Sequence, residues 1–131
     1  SLTSVNELQR EGKAVQRWNL LHPEEQPRVP YVTALLQETG GPYIAATDYM
    51  KVYADQIREF VPGTYTVLGT DGFGRSDTRR KLREFFEVSR QYIVIAALKA
   101  LADEGHIERA RVTQAIGALG VDPDKSNPLT V

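Results

Sequence analysis

Apolar side chains recur at helical spacing through Val5, Leu8, Val15 and Trp18, with Gly12 on the same side, where a neighbouring element can approach closely. Ser4-Val5-Asn6-Glu7 precedes the stripe in the S-x-x-E form of a capping box, in which hydroxyl and carboxylate each satisfy an unpaired N–H. The pattern predicts a helix that follows a strand or loop ending at Leu2-Thr3 and stops before Pro23. Residues 22–30 hold Pro23, Pro27 and Pro30 beside Glu24 and Glu25, the composition of a surface connection. A short helix is expected over 29–37 with Pro30 in its first turn, where a missing N–H costs nothing. Gly40-Gly41-Pro42 ends it.

Tyr43-Ile44-Ala45-Ala46 and Tyr65-Thr66-Val67-Leu68 are short runs of strand type. Between them, Asp48 is placed to cap a helix through Phe60 with Tyr49, Tyr53, Ile57 and Phe60 on one stripe, before Pro62-Gly63 breaks it. Strand, helix and strand in this order form a βαβ crossover, which requires a parallel pair. A Gly-rich loop follows, and Ser76 or Asp77 is placed to cap a helix through Phe86. Ser89 is placed to cap a helix over 90–104, with Gly105 at the left-handed position past its end. The centre of that helix, Tyr92-Ile93-Val94-Ile95-Ala96-Ala97-Leu98, is apolar nearly all round and is expected to be buried. Its β-branched residues leave a strand over 92–97 as the alternative. A last helix over 109–119 rests on Val112, Ala115, Ile116 and Leu119, and 122–131, with Pro123 and Pro128, reads as an extended tail.

Composition narrows the function classes. At 131 residues, 41% hydrophobic and 25% charged, the chain suits one folded domain rather than a disordered or fibrous one. Sixteen basic against seventeen acidic residues give a net charge of −1, which argues against a nucleic-acid partner. No cysteine is present, which removes disulfides, thiolate catalysis and cysteine zinc sites and fits a reducing compartment. No apolar run approaches the roughly 18 residues of a membrane span, so no membrane partner is expected. The loop Gly69-Thr70-Asp71-Gly72-Phe73-Gly74-Arg75-Ser76-Asp77 lies after a strand and before a helix, where open parallel sheets place binding residues. Its glycines match neither G-x-G-x-x-G nor a P-loop. Two readings stay open: a tight strand-to-helix connection, or an anion- or nucleotide-binding loop built on Asp71, Gly72, Phe73, Gly74, Arg75 and Ser76. Residues 75–90 carry six basic and three acidic groups. They form either a solvated face with pairs such as Arg80–Glu84 or a dock for an acidic partner. His22 and His106 show no metal-ligand spacing, and no nucleophile elbow occurs, so no catalytic or metal site is expected.

Longer strings sharpen this further. Val15-Gln16-Arg17-Trp18-Asn19-Leu20-Leu21-His22-Pro23-Glu24 continues to Pro27-Arg28-Val29-Pro30-Tyr31, and Thr47-Asp48-Tyr49-Met50-Lys51 is joined to Val67-Leu68-Gly69 and the loop through Asp77. With Phe86-Glu87-Val88 and Asp124-Lys125-Ser126-Asn127-Pro128, these closely resemble the C-terminal end of the bacterial homodimeric pyruvate dehydrogenases, the decarboxylating first component of the pyruvate dehydrogenase complex. More distantly the chain resembles the transketolase C-terminal domain. The resemblance covers essentially the whole chain. It implies an α/β fold of three layers, a mostly parallel sheet flanked by helices. It also implies a cytoplasmic bacterial enzyme that decarboxylates pyruvate on thiamine diphosphate with Mg²⁺ and reductively acetylates a lipoyl group. In that family the preceding domains hold cofactor and metal across the dimer interface, and the C-terminal domain supports packing. The implied partners are the remaining domains of the same chain, a second subunit of a homodimer and the dihydrolipoyl acetyltransferase core. No thiamine motif of the G-D-G…N-N type occurs here, so no catalytic, cofactor-binding or metal residue is carried over, and this stretch alone is expected to be inactive. The loop Asp71–Ser76 is expected to face an adjoining domain. A transketolase-type C-terminal domain opens with a further strand, helix and strand ahead of Ser1-Leu2-Thr3. Residues 1–131 are therefore expected to form a single domain lacking that unit, with an apolar face or strand edge left open.

Overall fold

Two four-residue strands, β1 (Tyr43–Ala46) and β2 (Tyr65–Leu68), pair in parallel, Tyr43 opposite Tyr65 and Ala46 opposite Leu68, in the computed structural model, which describes residues 4–70 and 79–128. The connection between them holds α3 (Lys51–Asp55) and a 3₁₀ turn (Arg58–Phe60), long enough for the crossover a parallel pair demands. The Tyr43 N–H donates to Thr64 O at 2.8 Å and the Thr47 N–H to Leu68 O at 2.9 Å, extending the ladder at both ends. Among the described residues the sheet has these two strands.

Alternation along the strands separates the layers. Tyr43, Ala45, Tyr65 and Val67 share one face and pack on a cluster of Val5, Val32, Ala54, Ile57, Phe60 and Val61. These come from α1 (Val5–Leu21), α2 (Tyr31–Gln37) and the crossover. On the other face α5 (Arg90–Asp103) touches both strands and is backed by α6 (Arg109–Ala118), with α4 (Arg79–Phe85) leading into it. Helices flanking a small parallel sheet make the three-layer α/β arrangement expected from the sequence.

Gly12 faces the core from α1, and a Cβ there would lie 2.6 Å from ring carbons of Phe60. Helix and ring are in direct contact because the side chain is missing. Beside this contact Lys13 Nζ donates to the Glu59 carboxylate, and Gln16 Nε2 donates to it at 3.2 Å. The Lys13 ammonium and then the Gln16 amide hold the Glu59 carboxyl below its ordinary value.

Several local expectations need correction. Helix α1 starts where the pattern placed it, but the capping box does not form. Ser4 has a left-handed backbone (φ 57°, ψ 49°) and its hydroxyl makes no cap bond. Capping needs an extended N-cap residue that aims its side chain at the first-turn N–H groups. The Ser4 carbonyl instead accepts from Glu7 N–H at 2.9 Å and Leu8 N–H at 3.1 Å, while Glu7 pairs with Arg10 at 2.7 Å. The helix expected from Asp48 through Phe60 starts only at Lys51 and stops at Asp55. Residues 48–49 are occupied elsewhere: Asp48 O accepts the Thr70 hydroxyl at 2.6 Å and Tyr49 O the Thr70 N–H at 2.9 Å. Tyr49 consequently leaves the stripe and is 71% exposed. Residues 90–103 are a helix and not a strand, yet that helix is not enclosed. Its buried residues are Ala100 and Ala102, and Val94 is 45% exposed. Among the described residues, two short strands and α6 do not surround a helix whose centre is apolar nearly all round. Residues 122–128 turn back over α4, where Lys125 Nζ donates to Phe85 O at 2.9 Å. The expected ends at Leu2-Thr3 and 129–131, the Ser76 or Asp77 cap and the Arg80 side chain lie outside the described residues.

Candidate functional site

The carboxyl ends of β1 and β2 lie side by side, the place where a parallel sheet leaves a crevice. The expected loop residues Asp71, Gly72, Phe73, Gly74, Arg75 and Ser76 lie outside the described residues. The described residues show how that loop is launched. A Cβ on Gly69 would lie 2.8 Å from the Lys51 backbone nitrogen and 2.9 Å from Tyr49 O. With the two Thr70 bonds, the exit of β2 is fastened to the turn between β1 and α3.

Next to this junction is a cavity of about 260 Å³ between Ala46, Thr47 and Asp48 on one side and Arg83, Ser89, Arg90 and Ile93 on the other. Arg83 reaches Asp48 with two donors, Nη2 to Oδ2 at 3.1 Å and Nε to Oδ1 at 3.3 Å. That hydrogen bond is the main cause raising the already high pKa of Arg83. The pair joins α4 to the end of β1 and holds the guanidinium in one orientation.

Ser89 has the extended backbone of an N-cap residue (φ −70°, ψ 166°), as the sequence predicts, but its hydroxyl makes no cap bond. The hydroxyl is buried and has no partner. Replacing an N-cap serine by alanine ordinarily costs about 1 kcal/mol. Here Ser89→Ala is expected to be neutral or to stabilise by about 1 kcal/mol, because an unsatisfied buried hydroxyl is removed. Urea midpoints of the two proteins check this, and a loss of stability in the variant would contradict the geometry.

The basic excess in residues 75–90 was the sequence signal for Arg83 and Arg90. Nothing local marked Asp48 as Arg83's partner, 35 residues away. A second arrangement lies at the end of α1. Arg28 lies over the Trp18 ring at 3.6 Å, and His22 stacks on it with centroids 4.3 Å apart. Asn19 Nδ2 donates to Arg28 O at 3.0 Å and its Oδ1 accepts the Arg28 N–H at 2.8 Å. The Tyr31 N–H donates to Glu11 Oε2 at 3.0 Å. The R-W-N-L-L-H-P-E string thus clasps the proline-rich connection to the end of α1. Leu20, Leu21, Val29 and Tyr31 around it stay exposed, Leu20 at 77%. Among the described residues no group of three acidic or histidine side chains is arranged to hold a metal ion. No helix among them is long and apolar enough to cross a membrane.

Comparison with known proteins agrees with the fold. The family model described as the transketolase-like TK C-terminal domain matches residues 1–89. The pyruvate dehydrogenase E1 component of Pseudomonas aeruginosa is 59% identical over 130 residues, 98% of this chain and 15% of that protein. The E1 component of Cupriavidus necator is 59% identical over 128 residues, and that of Escherichia coli K12 is 51% identical over 129 residues. In both, the match covers 98% of this chain and 14% of the relative. The chain therefore spans about one seventh of the length of the curated relatives it matches. A family model covering well over half of the residues, on a parallel βαβ core with helices on both faces, shows that the chain belongs to the transketolase-like C-terminal domain family.

Proposed function

We propose that this chain is the single C-terminal domain of a thiamine-diphosphate-dependent, cytoplasmic pyruvate dehydrogenase. The parent enzyme decarboxylates pyruvate and reductively acetylates lipoyl groups of a dihydrolipoyl acetyltransferase core. The observation that carries this reading is 59% identity to pyruvate dehydrogenase E1 components along 98% of the chain. The role of the domain is packing, against other domains of its own polypeptide and a second subunit of a homodimer. Its open surfaces support that role. Along the outer edge of β1 runs a groove of about 520 Å³, lined by Val5, Leu36, Tyr43, Ile44, Tyr53 and Ile57 among others. Tyr43 and Thr47 use their N–H groups on the β2 side, so Ile44 and Ala46 turn their backbone groups outward into this groove. An uncovered strand edge is a liability that folded proteins manage by pairing or covering it. A preceding part of the same polypeptide is the occupant proposed for it. The exposed side of α5 is a second packing surface of this kind.

Cofactor and metal are assigned to other domains on the family resemblance, and no chemical step is drawn through this one. The loop Asp71–Ser76 is proposed to face an adjoining domain. The test is CO₂ release from pyruvate, with and without thiamine diphosphate and Mg²⁺, by the full polypeptide that carries this chain and by residues 1–131 alone. Cofactor-dependent release by the full polypeptide and none by residues 1–131 is expected. Turnover by residues 1–131, or a full polypeptide that leaves pyruvate intact, would overturn the reading.

A further inference from the structure

We propose that residues 122–128 form a strap that opens by itself while the helices stay folded, latched to the end of α4 by Lys125. Glu87 stands where a helix end calls for glycine because its carboxylate holds that latch. The inference does not depend on the enzymatic reading above. Helices α4, α5 and α6 close in the same way, with N–H groups past the helix reaching back to its last turn. In α5 and α6 the turning residues are Gly105 (φ 81°) and Gly120 (φ 72°). The N–H groups that follow them, of His106 and Val121, donate to Leu101 O at 2.9 Å and Ile116 O at 3.1 Å. In α4 the turning residue is Glu87 (φ 62°), and the Val88 N–H donates to Arg83 O at 2.9 Å. A side chain in this left-handed conformation costs free energy that glycine does not. Such strain persists where the surrounding structure uses it. The carboxylate is what a glycine would lack, and it lies 3.4 Å from Lys125 Nζ.

The tail is shaped to deliver that lysine. Asp122-Pro123-Asp124-Lys125 is a β-turn with aspartate and proline at the first two positions, which favour them. The Lys125 N–H donates to Asp122 O at 3.2 Å, and the Asp124 N–H to Asp122 Oδ1 at 2.9 Å. Lys125 Nζ lies 5.4 Å from the centre of the Phe85 ring and donates to Phe85 O at 2.9 Å. A cation is favoured at the carboxyl end of a helix, where the last carbonyls have no partner within it. Of residues 122–128, Lys125 and Pro128 are half-buried and the other five are exposed. A segment that buries so little opens locally, at a lower cost than unfolding the core. The strap closes one side of a cavity of about 310 Å³, whose other walls include Leu68 and Gly69 at the exit of β2 and Phe86 after α4. Its release uncovers those walls, so access to this end of the sheet depends on Lys125.

Trypsin reads the latch directly, because it cuts after Lys125 only once that side chain has left Phe85 and Glu87 for the protease's own pocket. The full polypeptide is digested under native conditions. Mass spectrometry follows the initial rates of cutting after Lys125 and after Lys99, which lies inside α5. Glu87→Gln and Glu87→Gly are each expected to speed the cut after Lys125 about threefold, the size of a partly exposed ion pair lost. The cut after Lys99 requires α5 to unfold. Its rate is expected to stay the same in Glu87→Gln and to stay the same or fall in Glu87→Gly, where the left-handed strain is removed. A residue that merely supported the fold would move both rates together. The proposal is overturned if either variant leaves the cut after Lys125 at the parental rate, or if the cut after Lys99 speeds up with it.

Discussion

Replacing Gly12 by alanine lowers the unfolding free energy of the protein, although the same change inside an ordinary helix raises it by about 1 kcal/mol. The new Cβ would sit 2.6 Å from the Phe60 ring, and Phe60 is only 3% exposed, so the ring has no space to swing into. Overpacking of this kind costs about 1–3 kcal/mol, enough to outweigh the helix propensity gained. Phe60→Ala tests the same contact from the other side and is expected to cost about 3–5 kcal/mol, a large share of the stability of a small domain. The two positions are coupled. In a Phe60→Leu background the Gly12→Ala penalty is expected to shrink by about 1 kcal/mol, because a smaller side chain yields room. Urea unfolding of the four proteins in that cycle and of Phe60→Ala reads all of this, and a Gly12→Ala protein more stable than the parent would refute the contact.

Gly69→Ala is the second large effect, and it arises for a different reason. Beside the Lys51 Cγ, which can rotate aside, two of the atoms in the way, Lys51 N and Tyr49 O, belong to the backbone and cannot. Relief requires the exit of β2 to move away from the turn after β1. That movement breaks the bonds from Thr70 to Asp48 O and Tyr49 O. A loss of about 2–3 kcal/mol is expected, the upper part of the range for overpacking. Hydrogen exchange localises the damage: the Thr70 amide should lose protection well before those of α6, which lies apart from the junction. Unchanged stability together with unchanged exchange at Thr70 would show that the junction is looser than its geometry.

Periodic features were legible in the sequence because one element suffices to write them. The stripe of α1 with Gly12 in it, the two short strands, their parallel pairing and the stop at Gly105 all follow from spacing and glycine placement. Features that depend on a distant partner were not legible. Asp48 has the chemistry of an N-cap, but Arg83 and Thr70 claim it, and neither is a neighbour in sequence. The apolar centre of α5 shows which residues avoid water, while only the folded arrangement shows that the described residues leave one side uncovered. Ser89 was placed correctly as an N-cap residue, and its failure to cap is a matter of side-chain direction that no pattern records. The candidate site was half legible. The basic excess of residues 75–90 marked one wall, and the wall from β1 joins it only through the crossover.

The clasp around Trp18 gives the chain a local optical reporter. Trp18 is the single tryptophan, and its ring lies against Arg28 and His22, away from the cluster around Ile57 and Phe60. Its emission therefore follows the seating of the proline-rich connection on α1, whereas far-ultraviolet dichroism follows the helices as a whole. Whether the two signals change together distinguishes a connection that is cooperative with the core from one that opens on its own.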